Sequence, residues 1–249
     1  MSKIIAIHSF RGGTGKSNLT ANLAVTMALQ NKRVAIVDTD LQSPGIHALF
    51  AIDEVITGKT LNDYLWHRNS IADTACDVTS HLAIVQGKVF LIPSSINADE
   101  IAKIISEGYN VSLLNSGLQR LIKELELDYL FIDTHPGLSR ETLLSIAISD
   151  LLIVIIRPDR QDFQGTAVTV NIARQLQVSK MMMIVNKTPS RMDFSSLQRK
   201  VERTYNVPVA GIFPLSEDMA QLGSSGIFCL QYPEHPLTQM LQQVAEKAS

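Results

Sequence analysis

Three glycines, a lysine and a serine stand together in "SFRGGTGKSN" (9–18), between an apolar run and a helical pattern. Gly12, Gly13 and Gly15 let the backbone turn its N–H groups toward an anion with no Cβ in the way. A helix starting near Lys16 adds its positive N-terminal end. Lys16 is then placed to reach the β- and γ-phosphates of a nucleotide, and Ser17 to ligate Mg²⁺. Thr14 and Asn18 complete a nucleotide-binding segment from Arg11 to Asn18. The general pattern G-x-x-x-x-G-K-[ST] asks for glycine at position 10, where Phe10 stands. It fails by one residue, but the strand before it and the helix after it supply the context that the chemistry needs.

Acidic residues follow other apolar runs. "VAIVDTDLQSPGIHALF" carries Asp38 and Asp40. Two carboxylates this close, beside phosphate and Mg²⁺, are poor structural choices unless they act on the ligand. "LDYLFIDTHPGLS" has the form of a Walker B strand and the switch loop after it. Asp133 would hold Mg²⁺ through a water, and the Gly137 N–H would sense the γ-phosphate. His135 reads as a surface-loop histidine rather than a catalytic one, and the other histidines show no metal-ligand spacing. "MMMIVNKTPSR" ends a strand with Asn186-Lys187. Guanine-specific GTPases use N-K-x-D, whose aspartate pairs with the guanine edge. Here Pro189 takes the fourth place, which argues for adenine with Asn186 as the base contact.

The elements that must position these residues are legible as alternation. Apolar, mostly Ile/Val-rich runs lie at 4–7, 33–38, 82–93, 129–133, 151–156, 181–185 and 207–213, as expected of strands buried on both faces of a parallel sheet. The run at 82–93 is interrupted by "QGK", the turn of a small hairpin or an edge. Helical patterns lie near 16–30, 60–68, 97–107, 115–126, 141–149, 162–176, 194–205 and 236–247. No linker or repeat interrupts the series. The reading is a single doubly wound, mostly parallel α/β domain over residues 1–249, with ligand bound beyond the carboxyl ends of the strands.

Composition bounds the partners. The 249 residues are 45% hydrophobic and 18% charged with net charge -2, so no global basic field advertises nucleic acid. Cys76 and Cys229 form neither a disulfide framework nor a close metal-binding pair. The apolar run before His8 is too short for a signal peptide, and no stretch is long enough to span a bilayer. A cytoplasmic protein is expected.

"RGGTGKS" resembles the deviant Walker A of the ParA/MinD family, K-G-G-x-G-K-[ST], with Arg11 in place of the first lysine. The likeness extends along nearly the whole chain. It implies an ATPase switch that closes as a homodimer on ATP and separates on hydrolysis, slow alone and stimulated by a partner protein. It implies that Asp40, the second acid of a D-x-D segment, orients the attacking water, and that Asp38 serves Mg²⁺ and the switch. "GIFPLSED" is similar to the family's second base-binding loop, with Pro214 against the ring. The family's first loop lysine reaches the partner's phosphates. Arg11 can do the same bidentately, although an Arg-for-Lys change is not conservative. The alternatives are a role in cis or at the surface, or a substitute cation such as Arg157 or Arg160.

Branches of the family separate by what this sequence carries. The two cysteines match no metal-handling pattern. The terminal stripe Leu237, Met240, Leu241 and Val244 has only Lys247 beside it, which reads as a helix docked on its own core rather than a membrane tail. Partition-type members move cargo on nonspecific DNA, and the local basic patch here is Lys187, Arg191, Arg199, Lys200 and Arg203. Asp193 and Glu202 dilute it. The expected function is an ATP-dependent dimerising switch, using ATP and Mg²⁺, that positions or segregates a chromosome, plasmid or protein assembly, with nucleoid association if DNA is bound. The alternative is a scaffold ATPase that recruits a protein partner without DNA. An ATP-dependent ligase or kinase would need a small-molecule pocket that the sequence does not reveal.

Overall fold

The computed structural model describes residues 2–52, 59–84 and 86–249. In chain order the elements are β1 (Lys3–His8), α1 (Lys16–Leu29), β2 (Arg33–Asp38), α2 (Ile46–Leu49), α3 (Leu61–Leu65), β3 (Cys76–Asp77), β4 (Lys88–Ile92), α4 (Ala98–Glu107), α5 (Val111–Glu124), β5 (Tyr129–Asp133), α6 (Arg140–Ala147), β6 (Leu151–Ile156), α7 (Arg160–Gln175), β7 (Met181–Thr188), α8 (Phe194–Tyr205), β8 (Val209–Pro214), α9 (Glu217–Leu222), α10 (Phe228–Gln231) and α11 (Pro236–Ala248). Among the described residues they build one eight-stranded sheet in the order β3-β4-β2-β5-β1-β6-β7-β8. Every pairing is parallel except β3 with β4.

Continuous apolar strands follow from burial on both faces. In β1, Ile5 and Ile7 enter a core with Leu19, Leu23 and Met27 of α1 and Leu237, Leu241 and Val244 of α11. Ile4 and Ala6 point the other way, toward the cores under α5 and under α7 with α8. The period-two alternation of β1 therefore assigns each residue to a layer. The terminal stripe docks on the core, with Met240 packed partly buried against it. Among the described residues no helix is long and apolar enough to cross a membrane.

The expected strand at 82–93 is shorter than its sequence suggests. Leu82–Ala83 lie in a turn, Val85 is outside the described residues, and pairing begins at Lys88. Gly87 explains the late start: a Cβ there would sit 2.0 Å from the Ala28 carbonyl of α1. The segment is thus a close crossing under a helix end, within the connection that joins β3 to its antiparallel neighbour β4 at the sheet edge. β4 is an interior strand parallel to β2, and the two residues of β3 form the antiparallel edge. In the other direction β7 runs to Thr188, with a register shift after Val185 and Lys187 at a φ of 53°.

Candidate functional site

The loop between β1 and α1 is braced from the far side of the sheet. Gly13 and Gly15 take φ values of 76° and 89°, and Gly15 is the residue from which α1 starts. The Asn186 Nδ2 donates to the Thr14 carbonyl at 2.8 Å, and the Lys187 Nζ to the Gly13 carbonyl at 2.8 Å. A Cβ on Gly15 would meet the Asn186 Nδ2 at 2.5 Å, so this close approach requires glycine. Lys187, read from sequence only within a basic patch, braces the loop. Its signal was its position one residue beyond Asn186, at the mouth of the same strand.

Below the loop, Lys16 is buried and its Nζ lies 2.7 Å from the Asp133 Oδ1. The Thr20 hydroxyl donates to the same oxygen at 3.2 Å. Asp38 is the register partner of Asp133 across β2 and β5, so two fully buried carboxylates share the end of adjacent strands. Burial, then the charge of Asp133, push the Asp38 carboxyl up to about 7. The Asp38 Oδ1 accepts the Asp40 N–H at 3.0 Å and its Oδ2 the Gly45 N–H at 3.2 Å. His8 is fully buried at the end of β1. Burial, with the nearby charges of Lys16 and His135, lowers its imidazole to about 3, so it is neutral there.

Asp40 and His135 meet across the open side. The His135 Nδ1 lies 2.6 Å from the Asp40 Oδ1, which also accepts the Ser43 N–H at 3.1 Å. His135 is a loop histidine as expected, but it is half-buried and bonded to the acid assigned to the attacking water, a contact the sequence did not mark. Parallel register makes the contact, because Asp40 and His135 each lie two residues beyond the paired Asp38 and Asp133. Gly137 takes a φ of 85°, and its N–H donates to the Ser9 carbonyl at 3.3 Å. That N–H would have to leave Ser9 before it could contact a phosphate.

The front of the loop is fastened to α7. The half-exposed Arg11 donates to the Gln161 Oε1 and lies 3.9 Å from the Asp162 Oδ1. The Phe10 ring fills the place of a missing side chain at Gly165, where a Cβ would come within 1.9 Å of the Phe10 Cδ1. Arg157 is committed elsewhere, to Asp162 at 3.1 Å and Asp159 at 3.3 Å.

A cleft runs past these groups beyond the carboxyl ends of the strands, in two chambers that share Gly15, Ser17, Asn18 and Lys187. One, of about 520 Å³, borders Lys16, Asp40 and His135. The other, of about 440 Å³, borders Asn186 and Pro214 together with Leu215 and Met219. Leu215 and Met219 were not singled out from sequence, since two apolar residues around a loop give no motif. Arg191, Arg199, Lys200 and Arg203 are exposed on and before α8 and do not line this cleft. Arg199 donates to the Ser196 Oγ at 2.9 Å, and the Lys200 Nζ stands 5.1 Å from the Phe163 ring centre.

Comparison with known proteins agrees with this fold. The ParA family model, described as NUBPL iron-transfer P-loop NTPase, matches residues 1–249. An uncharacterized ATP-binding protein of Methanocaldococcus jannaschii is 28% identical over 99% of this chain and 88% of its own length. The septum site-determining protein MinD of Neisseria meningitidis is 23% identical over 91% of this chain and 83% of its own. Among solved structures, MinD of Pyrococcus horikoshii complexed with Mg-ADP superposes with a TM-score of 0.80 at 21% identity, covering 100% of this chain and 96% of that one.

Proposed function

The chain belongs to the ParA family of P-loop NTPases, and on that premise we propose that it is an ATP-gated dimerising switch that positions or segregates a cargo. The observation that carries this reading is the two-chambered cleft, with a buried lysine and paired carboxylates at one end and an amide acceptor at the other. Arg11, Gly12, Gly13, Thr14, Gly15, Lys16, Ser17 and Asn18 would wrap the phosphates. Lys16 exchanges Asp133 for phosphate oxygens, a stronger charge-assisted partner once the ligand enters.

The base end supports adenine through Pro189, which stands where an aspartate would pair with the guanine edge. Because the Thr14 carbonyl can only accept, Asn186 presents its Nδ2 there and keeps its Oδ1 for an N–H donor on the base. Pro214, Leu215 and Met219 supply the apolar walls.

Mg²⁺ fits the donor set. Among the described residues no cluster of three or more His, Cys, Asp or Glu side chains could hold a metal by itself. Paired carboxylates with a hydroxyl suit a hard cation that keeps waters and takes phosphate oxygens. Ser17, Asp38 and Asp133 would hold it, and when bound it neutralises charge developing on the phosphates. Asp40 would orient the water, Gly137 would read the γ-phosphate after leaving Ser9, and Arg11 would reach across to the partner's nucleotide.

The family description names iron transfer, but the thiols support the positioning reading better. Cys229 is buried in α10 with its thiol raised by burial to about 11, and Cys76 is half-buried on the edge strand. Neither is a ready thiolate ligand. A second reading, recruitment of a protein partner without DNA, draws support from α8, where Arg199 and Lys200 already have partners within the chain.

The test is calorimetric titration with ATP, GTP and ADP in Mg²⁺. We expect ATP to bind at least about tenfold tighter than GTP, a difference of about 1.4 kcal/mol. Lys16→Ala should weaken ATP more than tenfold without unfolding. Equal affinity for the two bases would remove the role given to Asn186, and undiminished binding by Lys16→Ala would overturn the site.

A further inference from the structure

We propose that His135 is the positioning residue for Asp40: its Nδ1–H holds the Asp40 Oδ1, so that the Oδ2 is presented to the attacking water. This rests on the reading of Asp40 as the water-orienting carboxylate, and adds a residue that the motifs did not mark.

The hydrogen-bond directions are set by chemistry. An ionised carboxylate only accepts, so Nδ1 carries the proton in the 2.6 Å contact. The Ser43 N–H donates to the same oxygen at 3.1 Å. Two donors from different segments therefore converge on Oδ1, and Oδ2 carries no hydrogen bond among the described residues. A carboxylate pinned at one oxygen cannot rotate freely about its last bond, which fixes the direction in which the second oxygen accepts. A group that orients a base in this way is a recurrent feature of hydrolytic sites.

His135 is itself supported from behind. The Thr142 Oγ1 donates to the His135 carbonyl at 3.2 Å, and Thr142 lies in the first turn of α6, whose N-cap Ser139 accepts the Thr142 N–H. Position then passes from α6 to His135 to Asp40, joining the loop after β5 to the loop after β2. In hydrolysis the water oxygen forms the new bond to the γ-phosphorus, and the bridging P–O bond breaks with its electron pair going to ADP. Both of the water's protons end on the phosphate product. His135 exchanges neither proton nor bond in this scheme.

The test uses the full chain in single-turnover hydrolysis of Mg-ATP, with His135→Ala, His135→Asn, Asp40→Ala and the His135→Ala/Asp40→Ala double variant. Asparagine places an N–H donor on the same Cγ as the Nδ1 of histidine. We expect His135→Ala to slow turnover about 10- to 100-fold, the range set by misplacing a reacting group. The loss should fall on turnover more than on ATP affinity, since the pair borders the phosphate chamber but is assigned to the water rather than to the nucleotide. His135→Asn should recover most of the lost rate, and the double variant should be no slower than Asp40→Ala alone. Wild-type turnover by His135→Ala, or no recovery with asparagine, overturns the assignment to His135 and leaves Asp40 in place. Wild-type turnover by Asp40→Ala overturns the underlying reading of the site, and the His135 proposal with it.

Discussion

Arg11 sits on α7 of its own chain, and the magnitudes say how firmly. Its side chain is 41% exposed and its nearest carboxylate oxygen is 3.9 Å away, a pair worth at most about 1 kcal/mol in water. Its bond to Gln161 adds a contact of similar exposed character. Neither contact is strong enough to hold it against a triphosphate, so the cis seat is compatible with the proposed reach to a partner's phosphates. Arg11→Ala is accordingly expected to keep ATP affinity within about threefold while losing ATP-dependent association. Calorimetry and light scattering on the same sample check the two halves of that statement. Association unchanged in the variant would move the bridging role to another cation. The glycines, Lys16, Asp38, Asp40, Asp133 and Asn186 were legible because each follows a strand end in a recognisable pattern. The bond between His135 and Asp40 was not, since it depends on the register of β2 with β5, which no local pattern encodes. The bond from Lys187 to the Gly13 carbonyl was hidden for a related reason: charge marks an exposed lysine, whereas its reach to the loop depends on the backbone at its positive φ.

At the scale of elements, α7 and the loop ahead of α1 are built for each other. Phe10 breaks the general glycine pattern, and Gly165 accommodates it from the opposite wall. In an ordinary helix interior Gly→Ala gains about 1 kcal/mol. Here the added methyl would overlap the ring, so Gly165→Ala should lose about 1–3 kcal/mol instead. In the Phe10→Ala background the same change should become neutral or stabilising, a coupling that urea unfolding of the four proteins would measure. Simple additivity would show that the two residues do not share the space. Long strands and helices were readable because continuous Ile/Val runs and helical periods persist over several turns. The short α2, α9 and α10 were not, because four to six residues carry no period, and their places come from tertiary contacts such as the Asn22 side chain accepting the Cys229 N–H. The late start of β4 was hidden for a similar reason: Gly87 answers to the end of α1, far away in sequence.

Across the whole molecule, one sheet collects the candidate residues at the carboxyl ends of β1, β2, β5 and β7, and the cleft opens there. The net charge of -2 leaves DNA contact to a local face, and α8 provides three exposed cations on and near one side. If duplex DNA is the surface on which this protein moves, binding should require ATP. The logarithm of its affinity should fall with the logarithm of salt at a slope of about -2 to -3, as roughly three phosphates per protomer predict. Replacing Arg199, Lys200 and Arg203 together should abolish it while leaving ATP-dependent association intact. No binding by a protein that does associate on ATP would favour the protein-partner reading.

On the proposed function, ATP and not ADP joins two copies of this chain, and Asp40 is needed to separate them. The direct measurement is the solution mass of wild type and Asp40→Ala by light scattering in Mg-ATP and in Mg-ADP. The expected result is a monomer in Mg-ADP for both, and a persistent species of twice the monomer mass for Asp40→Ala in Mg-ATP. A monomeric Asp40→Ala in Mg-ATP, in a sample shown to bind the nucleotide, would contradict it.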